Sequence, residues 1–278
     1  MIVQRRFSQI DVFTDDALFG NPVAVVHDAE GIDDDTMRRF ARWTNLSETT
    51  FLLAPTEPGA DYRVRIFTPT TELPFAGHPT LGTCRAWLEA GGRPGADGVV
   101  VQQCAAGLIT IRRDGERLAF CAPPLIRSGP VDDVLADQIV AELGITRDDV
   151  VDIAWADNGP GWVAVLLRDA DAVLAVQPGP VTHDIGLVGF HPAGAPAQVE
   201  LRAFFPVRGA TQEDPVTGSL NASVAQWLLG TGRLQAPYVA AQGTVLGRAG
   251  RVHVSSDDAG IWVGGGTVAV VVGTVEID

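Results

Sequence analysis

The sequence predicts an α+β fold of two pseudo-symmetric lobes from an internal duplication, each an antiparallel β-barrel wrapped around a central apolar helix. Three observations lead to this prediction. Short motifs recur in the same order at an offset close to half of the 278 residues. Alternating apolar and polar residues mark many short strands. Two helical segments carry almost no charge, so other elements must surround them.

Four pairs of short motifs carry the repeat. The pairs are Val23-Ala-Val-Val26 with Val163-Ala-Val-Leu166, Arg65-Ile-Phe-Thr-Pro69 with Arg202-Ala-Phe-Phe-Pro206, Pro74-x-x-Gly77-His78 with Pro215-x-x-Gly218-Ser219, and Trp87-Leu88 with Trp227-Leu228. Their offsets are 140, 137, 141 and 140 residues. Each match alone is weak, but four matches in one order indicate a tandem duplication of one unit.

The first half begins with a predicted hairpin, and polarity patterns give its further elements. The elements are strands at 7–13 and 23–27, a helix at 33–43, strands at 51–54 and 62–67, and a helix at 79–90. In the second of these helices only Arg85 and Glu89 are charged. This helix is therefore predicted to be the buried centre of the first lobe.

The second half repeats this order after a predicted linker at 127–130 and an additional helix at 132–143. Its elements are strands at 150–154 and 162–167, a helix at 169–175, a strand at 199–205, an uncharged helix at 220–229 capped by Ser219, and a last strand at 267–277. The predicted lobes are residues 1–126 and 127–278. The last strand, from about 267 to 278, is a candidate member of the first lobe.

The charge pattern excludes several functions. The chain has 34 acidic and 20 basic residues, a net charge of −14, and every basic residue is an arginine. Pyridoxal-phosphate enzymes, Schiff-base aldolases and P-loop nucleotide hydrolases need a lysine nitrogen, which the guanidinium of arginine does not replace. The acidic balance also argues against nucleic acid or an anionic membrane as a partner.

Cysteine and histidine spacing gives no sign of a metal site or a disulfide framework. The three cysteines, Cys84, Cys104 and Cys121, are odd in number and favour reduced thiols in the cytoplasm. None of the five histidines stands at a metal-binding spacing. No apolar run reaches the ~20 residues of a membrane helix, and the first residues lack a signal-peptide core. We therefore expect a cytoplasmic protein without a metal or cofactor.

The candidate site lies at the starts of the two apolar helices. Gly77 and Gly218 precede these helices, whose free amides and positive dipole ends suit an anion such as a carboxylate. His78 and Ser219 follow the glycines directly. Each glycine could instead serve only a tight turn, and His78 could be a turn residue bonded to a carbonyl.

Two carboxylates complete the set of candidates. Asp214 precedes Pro215, where an aspartate is often a turn former, so its role stays open. Glu48 stands before an apolar strand and is either the capped end of that strand or a proton carrier with a raised pKa. The residues alone leave both alternatives open.

These motifs resemble the PhzF-like family of phenazine biosynthesis. The resemblance rests on Ser47-Glu48-Thr-Thr-Phe51, on the segment from Phe67-Thr-Pro-Thr-Thr-Glu-Leu-Pro-Phe-Ala-Gly to His78-Pro-Thr-Leu-Gly82, and on Glu213-Asp-Pro-Val-Thr-Gly-Ser219. The segments Gln242–Arg248 and Val263–Gly265 also agree with it. It implies the diaminopimelate-epimerase fold, with two similar lobes, a site in the cleft between them, and a homodimer.

The resemblance also implies a cofactor-independent isomerase. On this reading Glu48 takes a proton from a carbon of a small carboxylated, cyclic substrate and returns it to another carbon. His78 and Asp214 are the other catalytic residues, and Gly77, Gly218 and Ser219 bind the polar groups of the substrate. The chemistry needs a poised acid–base group in a dry site.

Two alternatives stay open at this stage. One is an amino-acid racemase or epimerase that uses carboxylate or histidine bases on opposite faces of one carbon. Racemisation by two thiols is disfavoured, because His78 and Ser219 stand at the helix starts where such enzymes place cysteines. The other alternative is a non-catalytic protein of the same fold that binds a small molecule.

Overall fold

Strands dominate the secondary structure. The computed structural model describes residues 3–278, and among these are 18 strands and five α-helices. The chain forms two compact units: unit 1 is Met1–Cys121 with Gly264–Asp278, and unit 2 is Ala122–Val263. The sequence predicted a boundary at 126/127 and left open which lobe the last strand joins. A mixed α/β fold, as predicted, is what the chain adopts.

Unit 1 begins with a hairpin and contains two helices. Its elements up to residue 121 are β1 (Val3–Val12), β2 (Asn21–Val26), α1 (Asp34–Thr44), β3 (Glu48–Leu53), β4 (Tyr62–Phe67), β5 (Glu72–Leu73), α2 (Gly77–Glu89), β6 (Val99–Cys104), β7 (Gly107–Asp114) and β8 (Arg117–Cys121). The Asp33 side chain accepts a hydrogen bond from the amide of Thr36 and so caps α1. The sequence predicted this helix at 33–43, and its start agrees with the cap at Asp33.

Unit 2 contains three helices, and the chain then returns to unit 1. The elements are β9 (Arg127–Pro130), α3 (Asp133–Leu143), β10 (Val150–Asp157), β11 (Val163–Leu167), α4 (Ala170–Ala175), β12 (Ile185–Phe190), β13 (Val199–Val207), β14 (Ala210–Asp214), α5 (Gly218–Gly230), β15 (Tyr238–Gln242), β16 (Gly250–Asp257), β17 (Gly260–Gly265) and β18 (Thr267–Ile277). Short 3₁₀ turns cover Arg147–Asp149 and Thr244–Leu246.

The two units share one scheme of strand pairing. In unit 1, β1–β2 is antiparallel, β2–β3 parallel, β3–β4 and β4–β5 antiparallel, β4–β6 parallel and β6–β7 antiparallel. In unit 2, β10–β11 is antiparallel, β11–β12 parallel, β12–β13 and β13–β14 antiparallel, β13–β15 parallel and β15–β16 antiparallel. The repeat of motifs therefore coincides with a repeat of pairings. Closure of either set of strands into a barrel stays a prediction.

One further antiparallel strand pairs with the first strand of each repeat. In unit 1, β18 pairs with β1, with Val12 opposite Thr267. In unit 2, β9 pairs with β10, with Ala154 opposite Pro130. The prediction of a linker at 127–130 was therefore wrong. These residues form a strand because β10 offers them a free edge, which a Gly- and Pro-containing tetrapeptide does not reveal.

The apolar helices α2 and α5 are buried along most of their length. In α2 every residue from Gly77 to Cys84 is buried, and the helix contacts β1, β2, β3, β6, β8 and β18 of unit 1. In α5 the buried residues include Leu220, Val224 and Leu228, one on each successive turn. The near absence of charge in these helices therefore has the expected cause: they have no face in water.

Candidate functional site

Glu48 and His78 form a close pair in unit 1. Glu48 is the first residue of β3, and His78 is the second residue of α2. The His78 Nδ1 atom lies 2.8 Å from Glu48 Oε2, and the two side chains are 5% and 16% exposed. The contact lacks the alignment of an ideal hydrogen bond. Such alignment often improves only when substrate binds, so the distance is the feature that matters here.

The surrounding backbone brings these two residues together. Strands β2 and β3 run parallel with Val23 opposite Glu48, and the carbonyl of Pro22 lies 3.3 Å from His78 Nε2. Gly77 allows the helix to begin against β8, because a Cβ atom there would lie 2.3 Å from the Phe120 ring. The glycine therefore serves close packing with Phe120 at the position where the sequence predicted substrate binding.

Both ring nitrogens of His78 face oxygen atoms. A carbonyl oxygen only accepts, so a hydrogen bond to Pro22 requires the hydrogen on Nε2. Nδ1 then faces Glu48 Oε2 at 2.8 Å. The carboxyl group and the imidazole are therefore close enough to exchange a proton.

Asp214 lies at the end of β14 in unit 2 and is only 7% exposed. Its Oδ2 atom accepts a hydrogen bond of 2.6 Å from the hydroxyl of Thr217. Glu213, its neighbour, forms a two-bond ion pair with the buried Arg202, at 2.9 Å for each bond. Thr217 therefore holds the side chain of Asp214, and the ion pair of Glu213 anchors the backbone beside it.

Gln242 organises the turn between β14 and α5. The sequence predicted no role for its side chain. Its Oε1 accepts from the amide of Thr217 and from the side chain of Asn221, at 3.0 and 2.9 Å. Its Nε2 donates to the carbonyl of Asp214 and to the Thr217 hydroxyl, at 3.1 and 2.9 Å. Because that hydroxyl receives a hydrogen from Gln242, its own hydrogen is directed to Asp214.

Ser219 does not cap α5, which corrects the sequence-based prediction. The cap residue is Thr217, whose side chain makes no capping hydrogen bond, and Gly218 and Ser219 are the first two helical residues. The Ser219 hydroxyl instead accepts a hydrogen bond of 3.0 Å from the indole of Trp162. The helix start thus keeps its first amides for another partner.

Two acidic residues of unit 2, Asp157 and Asp184, lie near the start of β11. Burial, and then the charge of Asp157, raise the pKa of Asp184 to about 6. The Asp157 side chain accepts from the amides of Gly159 and Gly161, at 2.7 and 2.8 Å. The backbone carbonyl of Asp184 accepts from the amide of Val163. These contacts hold the loop between β10 and β11.

Cys84 and Cys104 have raised thiol pKa values. Cys84 is fully buried in α2, and burial raises the pKa of its thiol to about 12. Burial also raises the pKa of Cys104 at the end of β6. Thiols with such pKa values are poor sources of thiolate, which disfavours a two-thiol mechanism as the sequence did.

Residues 3–278 contain no group of three or more His, Cys, Asp or Glu side chains that could hold a metal ion. Within the same residues, no helix has both the length and the apolar character needed to cross a membrane.

The predicted site residues occur as two groups, one in each unit. Glu48, Gly77 and His78 lie together in unit 1, at the starts of β3 and α2. Asp214, Gly218 and Ser219 surround the start of α5 in unit 2. Gly77-His78 and Gly218-Ser219 begin equivalent helices of the two pairing schemes, whereas Glu48 and Asp214 lie on the non-equivalent strands β3 and β14.

Comparisons with known proteins identify the family of this chain. The family model described as "phenazine biosynthesis-like protein" (PhzC-PhzF) matches residues 10–273. The trans-2,3-dihydro-3-hydroxyanthranilate isomerase of Pseudomonas aeruginosa is 35% identical over 269 residues, covering 92% of this chain and 91% of the relative. Antisense-enhancing sequence 1 of Schizosaccharomyces pombe is 35% identical over 274 residues, covering 92% of each chain.

A solved structure shows the same fold. The phenazine biosynthesis protein of the PhzF family from Bacillus anthracis superposes with a TM-score of 0.82 at 23% identity, covering 98% of this chain and 99% of that chain. The family match extends over nearly the whole chain, and several relatives are named isomerases. The chain therefore belongs to the phenazine biosynthesis-like PhzC-PhzF family and is an isomerase.

Proposed function

We propose that this protein is a cofactor-independent isomerase that moves a proton between two carbons of a small carboxylated, cyclic substrate. The observation that carries the proposal is the contact of 2.8 Å between His78 Nδ1 and Glu48 Oε2. With Nε2 directed to the Pro22 carbonyl, Nδ1 faces the carboxyl group and can exchange a proton with it. A single carboxyl group can then act as base in one half of the reaction and as acid in the other.

The proposed reaction leaves the oxidation level of the substrate unchanged. The Glu48 carboxylate removes a proton from one carbon, and the electron pair of the broken C–H bond forms a new double bond within the substrate. The existing double bond shifts, and Glu48 returns the proton to the carbon at its far end. His78 holds the carboxyl group in place and shares its proton between the two steps.

Residues of unit 2 supply the remaining functions in this proposal. Asp214, oriented by the Thr217 hydroxyl, assists the proton transfer as the third catalytic residue. The uncapped amides of Gly218 and Ser219, with the positive end of the α5 dipole, suit a substrate carboxylate. Gly77 provides the corresponding free amide at the start of α2. That these groups meet one substrate stays a prediction.

The relative from Pseudomonas aeruginosa suggests the first substrate to test. Its name states that it isomerises trans-2,3-dihydro-3-hydroxyanthranilate, a cyclic carboxylate. We propose a substrate of this class here. The free thiols of Cys84, Cys104 and Cys121 favour a reducing compartment such as the cytoplasm, and the family resemblance favours a homodimer. Location and assembly both stay predictions.

Deuterium uptake from heavy water tests the proposal. Trans-2,3-dihydro-3-hydroxyanthranilate and a panel of amino acids are incubated with the wild type, with Glu48→Gln and with Glu116→Gln, and products are identified by mass spectrometry. Glu116 is a matched control, since its side chain is 91% exposed and lies outside the proposed site. We expect Glu48→Gln to lose about 10²–10⁴-fold in rate, the usual contribution of an acid–base group. Glu116→Gln should retain the wild-type rate.

The other outcomes separate the alternative functions. A moved double bond in the product supports the isomerase, whereas inversion at one carbon of an amino acid supports a racemase or epimerase. Binding of a panel member without uptake by the wild type supports a binding protein. An uptake rate that Glu48→Gln leaves unchanged would refute the role proposed for Glu48.

A further inference from the structure

The indole of Trp162 is hydrogen-bonded to a residue of the proposed substrate-binding group. Trp162 directly precedes β11 and is 3% exposed. Its Nε1 atom lies 3.0 Å from the hydroxyl oxygen of Ser219, at the start of α5. A buried indole N–H usually has a partner. Here that partner is a side chain to which we have assigned a substrate contact.

The direction of this hydrogen bond determines what Ser219 can do. An indole N–H only donates, so the Ser219 oxygen is the acceptor. The hydroxyl hydrogen of Ser219 is then left to point elsewhere. Within residues 3–278 no side chain or carbonyl accepts it. Ser219 therefore presents a donor, with one of its lone pairs already occupied.

The backbone of Ser219 is held in the same direction by a second side chain. The Asn158 amide nitrogen donates to the carbonyl of Ser219 at 3.0 Å. Since that carbonyl cannot donate, the orientation of the Asn158 amide is determined. Asn158 and Trp162 both come from the loop between β10 and β11, so one loop fixes the carbonyl and hydroxyl oxygens of Ser219.

We propose that Trp162 is a positioning residue that commits the Ser219 hydroxyl to donate to an anionic oxygen of the substrate. The inference rests on the proposed function, because it assigns the substrate group that this end of the site selects. The neighbouring groups agree with it: α5 starts without a capping side chain, so its first amides are also donors. A cluster of donors favours a carboxylate over an amine or a carboxamide.

A double-mutant cycle on ligand binding tests this inference. The probes are anthranilate and its neutral analogue 2-aminobenzamide, and the dissociation constants are measured by calorimetry without turnover. We expect Trp162→Phe to weaken anthranilate binding about five- to tenfold, the value of one ordinary hydrogen bond. Ser219→Ala should weaken it at least as much. The double variant should bind anthranilate as Ser219→Ala does, because Trp162 acts through Ser219.

The neutral probe separates positioning from a general structural effect. Binding of 2-aminobenzamide should change less than twofold in Trp162→Phe, since it lacks the anionic oxygen. The inference would be overturned if the losses of affinity in the two single variants multiply in the double variant. Equal losses of affinity for both probes would also overturn it, as would a wild type that does not bind anthranilate. A wild type that binds anthranilate with these dependences but takes up no deuterium would leave the inference intact and refute the isomerase proposal.

A second measurement does not depend on the Trp162 variant folding. In the ¹H–¹⁵N spectrum of the full chain, the indole resonance of Trp162 should move upfield in Ser219→Ala, because its hydrogen-bond acceptor is lost. Ser219→Thr should retain the wild-type position. An indole resonance that is the same in the wild type and in Ser219→Ala would show that the hydrogen bond is absent in solution, and would overturn the inference.

Discussion

The two repeats carry the same ion pair in different surroundings, and this predicts different costs for the same substitution. Arg202 bonds to Glu213 through Nε and Nη2, and Arg65 bonds to Glu72 through the same atoms. Arg202 and Glu213 are 3% and 12% exposed, whereas Arg65 and Glu72 are 26% and 30% exposed. The perturbation is the replacement of each arginine by leucine.

The magnitudes follow from this burial. In Arg202→Leu a carboxylate is left without its cation in a site that water hardly reaches, which costs ~3–5 kcal/mol of unfolding free energy. The variant also removes the guanidinium donor to the carbonyls of Val173 and Val176. In Arg65→Leu water solvates the remaining carboxylate, and the cost should be ~1 kcal/mol. The double variant of Arg202 and Glu213 to leucine should lose less than Arg202→Leu, since no charge is stranded.

Urea unfolding followed by circular dichroism is the assay. With a slope of ~3 kcal/mol per M, Arg202→Leu should lower the midpoint by about 1 M or more, and Arg65→Leu by about 0.3 M. Equal midpoints for the two single variants would refute the reasoning from burial. A double variant less stable than Arg202→Leu would show that packing, and not the stranded charge, dominates the loss.

Three further outcomes follow from single contacts. Gly82→Ala places a methyl group 2.2 Å from a valine side chain and should cost ~1–3 kcal/mol in the urea titration, whereas Gly230→Ala meets open space and should change stability by less than ~1 kcal/mol. Thr217→Val removes the donor to Asp214 and should slow deuterium uptake about tenfold, with Thr217→Ser close to wild type. The pKa of Asp184 is about 6 in the fold against an ordinary 3.8. The folded state therefore retains a proton that the unfolded chain has released, so stability falls as the pH rises from about 4 to about 6. Asp184→Asn should flatten that fall, and parallel curves of midpoint against pH for both proteins would contradict this.

Local signals predicted much of the secondary structure. The helix predicted at 132–143 is α3, because its cap Asp132 and its terminating Gly144 act through bonds within a few residues. The strand β9 was missed, since its conformation depends on pairing with β10 and not on its own composition. The two-residue strand β5 was missed for the same reason. Pairing partners distant in sequence decide such elements.

The site was predictable in its residues but not in its contacts. Glu48 and His78 are 30 positions apart, and spacing alone left each with a structural alternative. The family resemblance supplied their roles, and the fold brings the two side chains to 2.8 Å. Gln242 began a segment that agrees with the family, but its role and that of Trp162 had no sequence signal, because their partners Thr217 and Ser219 lie 25 and 57 residues away. A glutamine at the end of a strand or a tryptophan at the start of one is indistinguishable from ordinary core packing.

The pairing of β18 with β1 has a consequence for the order in which the protein can fold during synthesis. Unit 2 is contiguous, so all of its strands are available once Val263 has left the ribosome. Strand β1 is made first, yet the strand that covers one of its edges is made after the whole of unit 2. An uncovered edge is a template for pairing with another chain. The unit that is synthesised first is thus the one that must wait longest for protection against misassembly.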